Sequence, residues 1–322
     1  MEIFNLTLNQ MLMMFSLILV GFLLRKKTNI PENAGTIMAK LETFVFVPAL
    51  SMFTQMTKCT VESFKENSVL ILYGLIIVVC AIAVSYPLSK CFVRKNADLP
   101  ENMYQRNIFK YALTFGNYGF MGNFIILGVW GSDMFYKYSL FNFFVAILCS
   151  SWGLYILIPK DKNAGILENL KKGLLTPPMI GLVLGMLFGL LDLTRYVPQF
   201  LIDAFDSAGD CQGPVAMVLA GFVIGGYNFK ELMMKKKVYV VTFLRLVAIP
   251  AILMVILKLF GTSEEIMTLA LIAFATPLGL NTIVYPAAYG GDTKTGASMT
   301  MISHTLSVIT IPLMYLIFIV WL

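Results

Sequence analysis

The sequence predicts an all-α integral membrane protein of ten transmembrane helices, arranged as two inverted five-helix repeats whose fourth and ninth helices are broken and crossed. Of its 322 residues, 58% are hydrophobic and only 13% charged, with a mean hydropathy of +0.79, too apolar for a soluble domain that keeps a wetted surface. Apolar runs long enough to cross a hydrocarbon core of about 30 Å, roughly 20 residues each, recur along the whole chain with short polar gaps. The basic residues alternate between those gaps.

The expected spans are residues 6–24, 36–56, 68–92, 106–130, 134–158, 177–192, 199–229, 238–259, 265–289 and 298–321. The first begins almost at the initial Met, with no basic n-region or small-residue cleavage site, and ends in Arg25, Lys26 and Lys27. It reads as a retained helix. Lys and Arg near helix ends are held on the cytoplasmic side. The odd-numbered gaps carry seventeen of them, including Arg106, Lys172, Lys237 and Lys294. The even-numbered gaps carry five: Lys58, Lys65, Lys137, Arg195 and Lys258. This asymmetry places both termini outside the cytoplasm, and a missed or extra span would scramble it.

The same residues exclude several functions. The net charge of +6 lies on cytoplasmic gaps that the topology rule already explains, so no nucleic-acid partner is expected. The cysteines at 59, 80, 91, 149 and 211 have no metal or redox spacing and read as small buried hydrophobes. One histidine and scattered cysteines supply no metal-ligand set. Neither G-x-G-D nor G-x-S-x-G occurs. An enzyme is not expected, and neither is a cofactor.

The longest polar gap, 159–176, divides the chain into halves at 1–158 and 177–322. Five spans per half force the second half to insert upside down, an architecture common among transporters, with the binding site near the midplane. The halves match in their interruptions. Pro48 and Pro214 sit in the second span of each half, and "FGNYGFMGN" (115–123) in the fourth span is matched by "FATPLGLNTIVYP" (274–286). A broken helix leaves polar backbone groups that cost several kcal/mol each in hydrocarbon, so such breaks are buried in protein or line a wet cavity. The half-helix N-termini at a crossing suit a carboxylate, and Asn117 and Asn281 add neutral amide donors. The competing reading makes Gly116, Gly119, Gly122, Pro277 and Gly279 packing devices only.

Ionisable residues at membrane depth are the next candidates. Asp203 and Asp206 share a face near the outer end of the seventh span. Asp210 lies deeper, four residues before Pro214, either on the substrate path as a proton acceptor or as a polar residue at a helix break. His304, in the tenth span, is either a hydrogen-bonded packing residue or a proton-coupling group. Glu42, close to Lys40, is expected at the cytoplasmic interface, and Arg245 is expected to snorkel towards the inner surface.

The chain resembles the auxin efflux carrier (AEC) family, which includes plant PIN-FORMED auxin exporters and bacterial malate and malonate permeases. The fourth-span pattern N-x-G-x-x-G-x-P is met at Asn117, Gly119 and Gly122, and the ninth-span pattern A-x-P-x-x-x-N-[ST] at Ala275, Pro277, Asn281 and Thr282. Phe124 stands where the first pattern ends in proline, so the first break is expected to be less sharp and held open mainly by glycine. The long cytoplasmic loop of plant members is missing, which points to the bacterial permeases and a bacterial inner membrane.

The resemblance implies the fold of bile acid/sodium symporters. A scaffold (1–56 and 177–229) would form a homodimer, and a mobile transport domain (68–158 and 238–322) would carry the crossing in an elevator-like motion. The substrate-binding candidates are then Asn117, Tyr118, Gly119, Pro277, Gly279, Asn281 and Thr282, with Pro48 and Pro214 on scaffold helices facing them; Asp210 and His304 are the proton-coupling candidates. The expected function is secondary transport of mono- or dicarboxylates. Uniport, exchange, proton symport and sodium symport all remain open, and a channel is the competing class.

Overall fold

The computed structural model describes residues 2–93, 99–157, 175–283 and 293–321. Most of the polar gap at 159–176, the end of the expected ninth span at 284–289, and the basic residues at 94, 95, 160, 162, 171 and 172 lie outside the described residues. Among the described residues all regular structure is helical. The main elements are α1 (Glu2–Lys27), α2 (Ala34–Lys58), α3 (Val69–Phe92), α4 (Pro100–Thr114), α5 (Tyr118–Phe141), α6 (Phe143–Leu157), α7 (Pro177–Leu190), α8 (Gln199–Gly225), α9 (Lys236–Leu259), α10 (Glu264–Ala275) and α11 (Lys294–Trp321).

Six of these, α1, α2, α3, α8, α9 and α11, are long and apolar enough to cross a membrane, and α5 with α6 makes a seventh if that pair, bent by 55°, is one span. This is an integral membrane protein. The remaining expected spans fall on helices that are short or interrupted: α7 has 14 residues, and α4 and α10 both stop at breaks. Gly131 interrupts α5 with φ 79°, between the expected fourth and fifth spans. That left-handed conformation is one glycine adopts without a Cβ penalty.

Internal prolines shape two of the long helices. Pro48 and Pro250 lack an N–H and crowd the preceding turn. Each is preceded by a wider π-turn, Glu42–Phe46 in α2 and Leu244–Ala248 in α9. Glu42 and Arg245 lie in these two wider turns, and both are 0% exposed. Neither side chain reaches an exposed interface as expected: the Glu42 side chain is buried although its turn also carries the exposed Phe44 and Val45, and Arg245 lies in the heart of the protein. The cysteine expectation also changes, since Cys59 and Cys149 are buried but Cys80, Cys91 and Cys211 are exposed.

Packing follows small residues. α7 presents Gly181, Gly185 and Gly189 to α2, where added Cβ atoms would lie 2.5 Å from the Pro48 carbonyl, 2.7 Å from that of Met52 and 2.5 Å from that of Cys59. Close backbone approach of this kind replaces the hydrophobic drive that lipid cannot supply between helices. α1 runs against the Gln212–Gly225 part of α8, and the Gln199–Asp210 part of α8 packs on α2. α3 packs on α4, and α9 and α10 pack on each other.

Polar links between helix ends respect the alternation of the basic gaps. Lys26 reaches the Tyr227 carbonyl at 3.4 Å, Lys237 the Phe92 carbonyl at 2.6 Å and Lys294 the Glu231 carboxylate at 2.5 Å. All of these ends belong to odd-numbered gaps. Lys58 pairs with Asp133 at 2.6 Å, Lys137 with Glu265 at 2.5 Å, and Thr194 donates to the Met56 carbonyl at 2.7 Å. All of those belong to even-numbered gaps. The Lys58 hydrogen bond holds the Asp133 carboxyl below the usual carboxylate range, and Lys294 does the same for Glu231.

Candidate functional site

Two interrupted helices meet. α4 ends at Thr114, Phe115 is extended (φ −110°, ψ 129°), and helical structure resumes at Tyr118. α10 ends at Ala275, Thr276 is extended (φ −65°, ψ 149°), and helical residues resume at Asn281. Between the breaks, Gly116 and Leu278 form an antiparallel bridge. The Asn117 N–H donates to the Pro277 carbonyl at 2.7 Å, and the Leu278 N–H donates to Ser303 Oγ at 3.0 Å. One bond between the breaks thus satisfies a donor of the first and an acceptor of the second, and α11 satisfies a further donor, which offsets a cost of several kcal/mol per orphaned group. Pro277 has no N–H to satisfy.

The first break is sharp without the proline that Phe124 replaces. The helix is lost several residues earlier, and Phe124 lies in regular helix with its carbonyl accepting from Gln10 Nε2 at 3.0 Å. The expectation of a weaker break is corrected: the bridge to Leu278 and the bond to Pro277 fix the extended segment. Gly116 is required by contact. A Cβ there would lie 2.5 Å from Thr276 Oγ1, 2.6 Å from Arg245 Nη2 and 2.8 Å from the Thr276 carbonyl.

The junction opens on a cavity of about 220 Å³, smaller than the 300–1,000 Å³ typical of drug-sized pockets. Gly116, Asn117, Tyr118 and Gly119 line it from one break, and Gly279 and Asn281 from the other. Val47 and Ser51 of α2 close one side, and Ser139, Asn142 and Ser150 contribute polar groups. Among the described residues the lining contains no Asp, Glu, Lys, Arg or His. It is a mostly apolar surface carrying a few amide and hydroxyl groups, beside the start of α5 and the helical residues 281–283, and the first N–H groups of a helix lack intrahelical acceptors. Helix N-termini and amide donors are groups through which proteins hold anions by dipoles and hydrogen bonds.

The candidate residues divide by position. Asn117 is 2% exposed, and its Nδ2 lies 3.1 Å from His304 Nε2. His304 Nδ1 lies 2.8 Å from the Thr300 carbonyl. A carbonyl only accepts, so Nδ1 carries the proton and Nε2 accepts from Asn117. His304 therefore orients the Asn117 amide. Asn281 Nδ2 donates to Tyr111 Oη at 3.0 Å, and the Tyr111 hydroxyl is 3.0 Å from Cys149 Sγ. Thr282 Oγ1 donates to the Gly279 carbonyl at 2.9 Å, fixing the second restart. Pro277 and Thr282 are buried behind the lining, and Pro48 is half-buried beside the lining residues Val47 and Ser51. Pro214 and Asp210 are exposed and stand outside this lining, and Asp203 and Asp206 are exposed as well.

Two residues of the junction are not singled out by the sequence, and a third is expected elsewhere. Tyr138 donates to the Tyr118 carbonyl at 3.1 Å, and Gln212, 0% exposed on α8, donates to the Gly119 carbonyl at 3.4 Å. A lone amide two residues before Pro214 in an apolar span was the available signal for Gln212; Tyr138 had none. The third is Arg245. Burying a guanidinium at membrane depth costs about 2.5–3.5 kcal/mol even on insertion scales, and that cost was the signal that it has a role.

Compared with known protein families, the chain matches the model described as membrane transport protein twice, over residues 6–169 and 166–315. The two matches meet inside the polar gap. No curated protein matches it.

Proposed function

Because the chain belongs to this membrane transport family, that of the auxin efflux carriers, and is therefore a membrane transporter, we propose that it is a secondary carrier of small mono- or dicarboxylates such as malate or malonate. The carrying observation is the cavity where the two breaks join, lined by Asn117 and Asn281 and, among the described residues, by no charged side chain. A carboxylate entering it meets no acidic group to repel it. Amide donors and half-helix N-termini neutralise it without a tightly paired cation that would slow its release.

In this reading the chain has ten spans in two inverted halves, lies in a bacterial inner membrane with both termini outside, and dimerises through its scaffold. The same-side pairing of polar links supports the ten-span count. The junction moves as a unit past α2 and α8 in an elevator-like step. The few links from α1 and α8 to the junction, from Gln10 and Gln212 to backbone carbonyls, are single hydrogen bonds that such a step can exchange. No catalytic step is proposed.

Coupling to protons runs through His304. When Nε2 gains a proton it can no longer accept from Asn117, so the amide turns to offer its oxygen, and its N–H groups turn towards the cavity. Proton and anion then favour each other's binding, as reciprocal linkage requires. The test is uptake of labelled malate into proteoliposomes along and against its gradient. Accumulation above the external concentration supports a carrier, and strict equilibration under an imposed pH gradient counts against proton coupling and favours a channel or uniporter.

A further inference from the structure

Arg245 sits at the other pole of the junction, where both interrupted helices end. Its Nη1 donates to the Thr114 carbonyl at 3.3 Å and its Nη2 to the Ala273 carbonyl at 3.4 Å. Thr114 is the last residue of α4 and Ala273 lies in the last turn of α10. The guanidinium lies 5.5 Å from the Phe274 ring centre, its Nε has no hydrogen-bond partner, and among the described residues it has no carboxylate partner. The side chain is fully buried.

A helix C-terminus carries about half a negative charge and carbonyls without intrahelical donors. Two such ends converge here, away from water, and together call for one positive charge. Carriers with discontinuous helices generally meet that demand with a mobile coupling cation, Na⁺ or H⁺, held on unwound carbonyls and half-helix C-termini. In this chain a covalently attached cation already stands on those carbonyls. A guanidinium keeps its charge at any physiological pH, and it cannot leave when the transport cycle turns.

We propose that Arg245 is a built-in cation that takes the place of a coupling sodium ion, which makes the carrier independent of Na⁺. It is a positioning residue: it ties together the carboxyl ends of α4 and α10, and its charge adds to the positive potential at the half-helix N-termini facing the cavity. Gly116 belongs to the same device, because only a residue without a side chain leaves room for Nη2. The inference rests on the carrier reading for its meaning, but its primary test needs no substrate.

That test compares thermal unfolding of the purified full chain in NaCl and in KCl of equal strength, with no organic anion. The wild type is expected to unfold at the same temperature in both. R245A, which vacates the carbonyls, is expected to unfold at a higher temperature in NaCl than in KCl, as a newly bound cation would cause; R245K, which retains a charge, is expected to show no difference. In proteoliposomes, wild-type malate uptake should be equal in the two salts, and R245A should lose more than tenfold in KCl. Wild-type protein stabilised by Na⁺ over K⁺ overturns the proposal whether or not R245A folds. So does a folded R245A that is indifferent to Na⁺. Loss of malate transport in the wild type would count against the carboxylate reading and leave the salt comparison intact.

Discussion

The backbone N–H of Asn117 donates to the carbonyl of Pro277 across 160 positions of sequence, at 2.7 Å. One hydrogen bond joins two helix breaks that neither half could bury alone. The start of α5 and the helical residues from Asn281 are thereby fixed around a small cavity, and the ends of α4 and α10 around Arg245. The substrate reading and the sodium reading both depend on that polarity.

Gly116→Ala tests the closeness of the junction. Its Cβ would press on the Thr276 carbonyl at 2.8 Å and on Arg245 Nη2 at 2.6 Å. Overpacking of this kind costs about 1–3 kcal/mol, and backbone cannot move aside as a side-chain tip can. A lower unfolding temperature in detergent and a severalfold loss of uptake are expected. A variant as stable and as active as the wild type would show that the junction is looser than the hydrogen bond implies.

His304→Gln tests the proton link. Wild-type uptake is expected to rise as pH falls, because protonation of the imidazole frees the Asn117 N–H groups for the anion. Glutamine does not titrate, so the variant's profile should be flat. An unaltered profile returns His304 to packing.

Labelling tests the topology. In a background with the native cysteines replaced, cysteine at the exposed positions 27 and 236 should react with a membrane-impermeant reagent only from the cytoplasmic side. Labelling of either from outside intact cells contradicts the orientation drawn from Lys and Arg.

The legible part of the sequence was whatever lipid makes expensive. Breaks at 115–123 and 274–286 stood out because glycine, proline and asparagine are poor choices in an uninterrupted span, and the structure joins those two segments. Partners set by three-dimensional approach were not legible. Arg245 looked like a snorkelling residue because it lies eight positions from Lys237 along one helix, and distance along α9 says nothing about the carbonyls that α4 and α10 bring to it. Glu42 departs from expectation for the same reason: closeness to Lys40 suggests an interface, but the Glu42 side chain is buried. Pro214 matched Pro48 by position in its half, yet one is exposed and the other half-buried, since matching order along the chain does not fix which way a helix turns.

The most direct measurement is malate uptake by proteoliposomes carrying Asn117→Ala or Asn281→Ala, each first confirmed as a monodisperse folded protein. The joined breaks are the binding site in this account, so each substitution should reduce uptake to the level of empty vesicles. Uptake at the wild-type rate in both variants would contradict it.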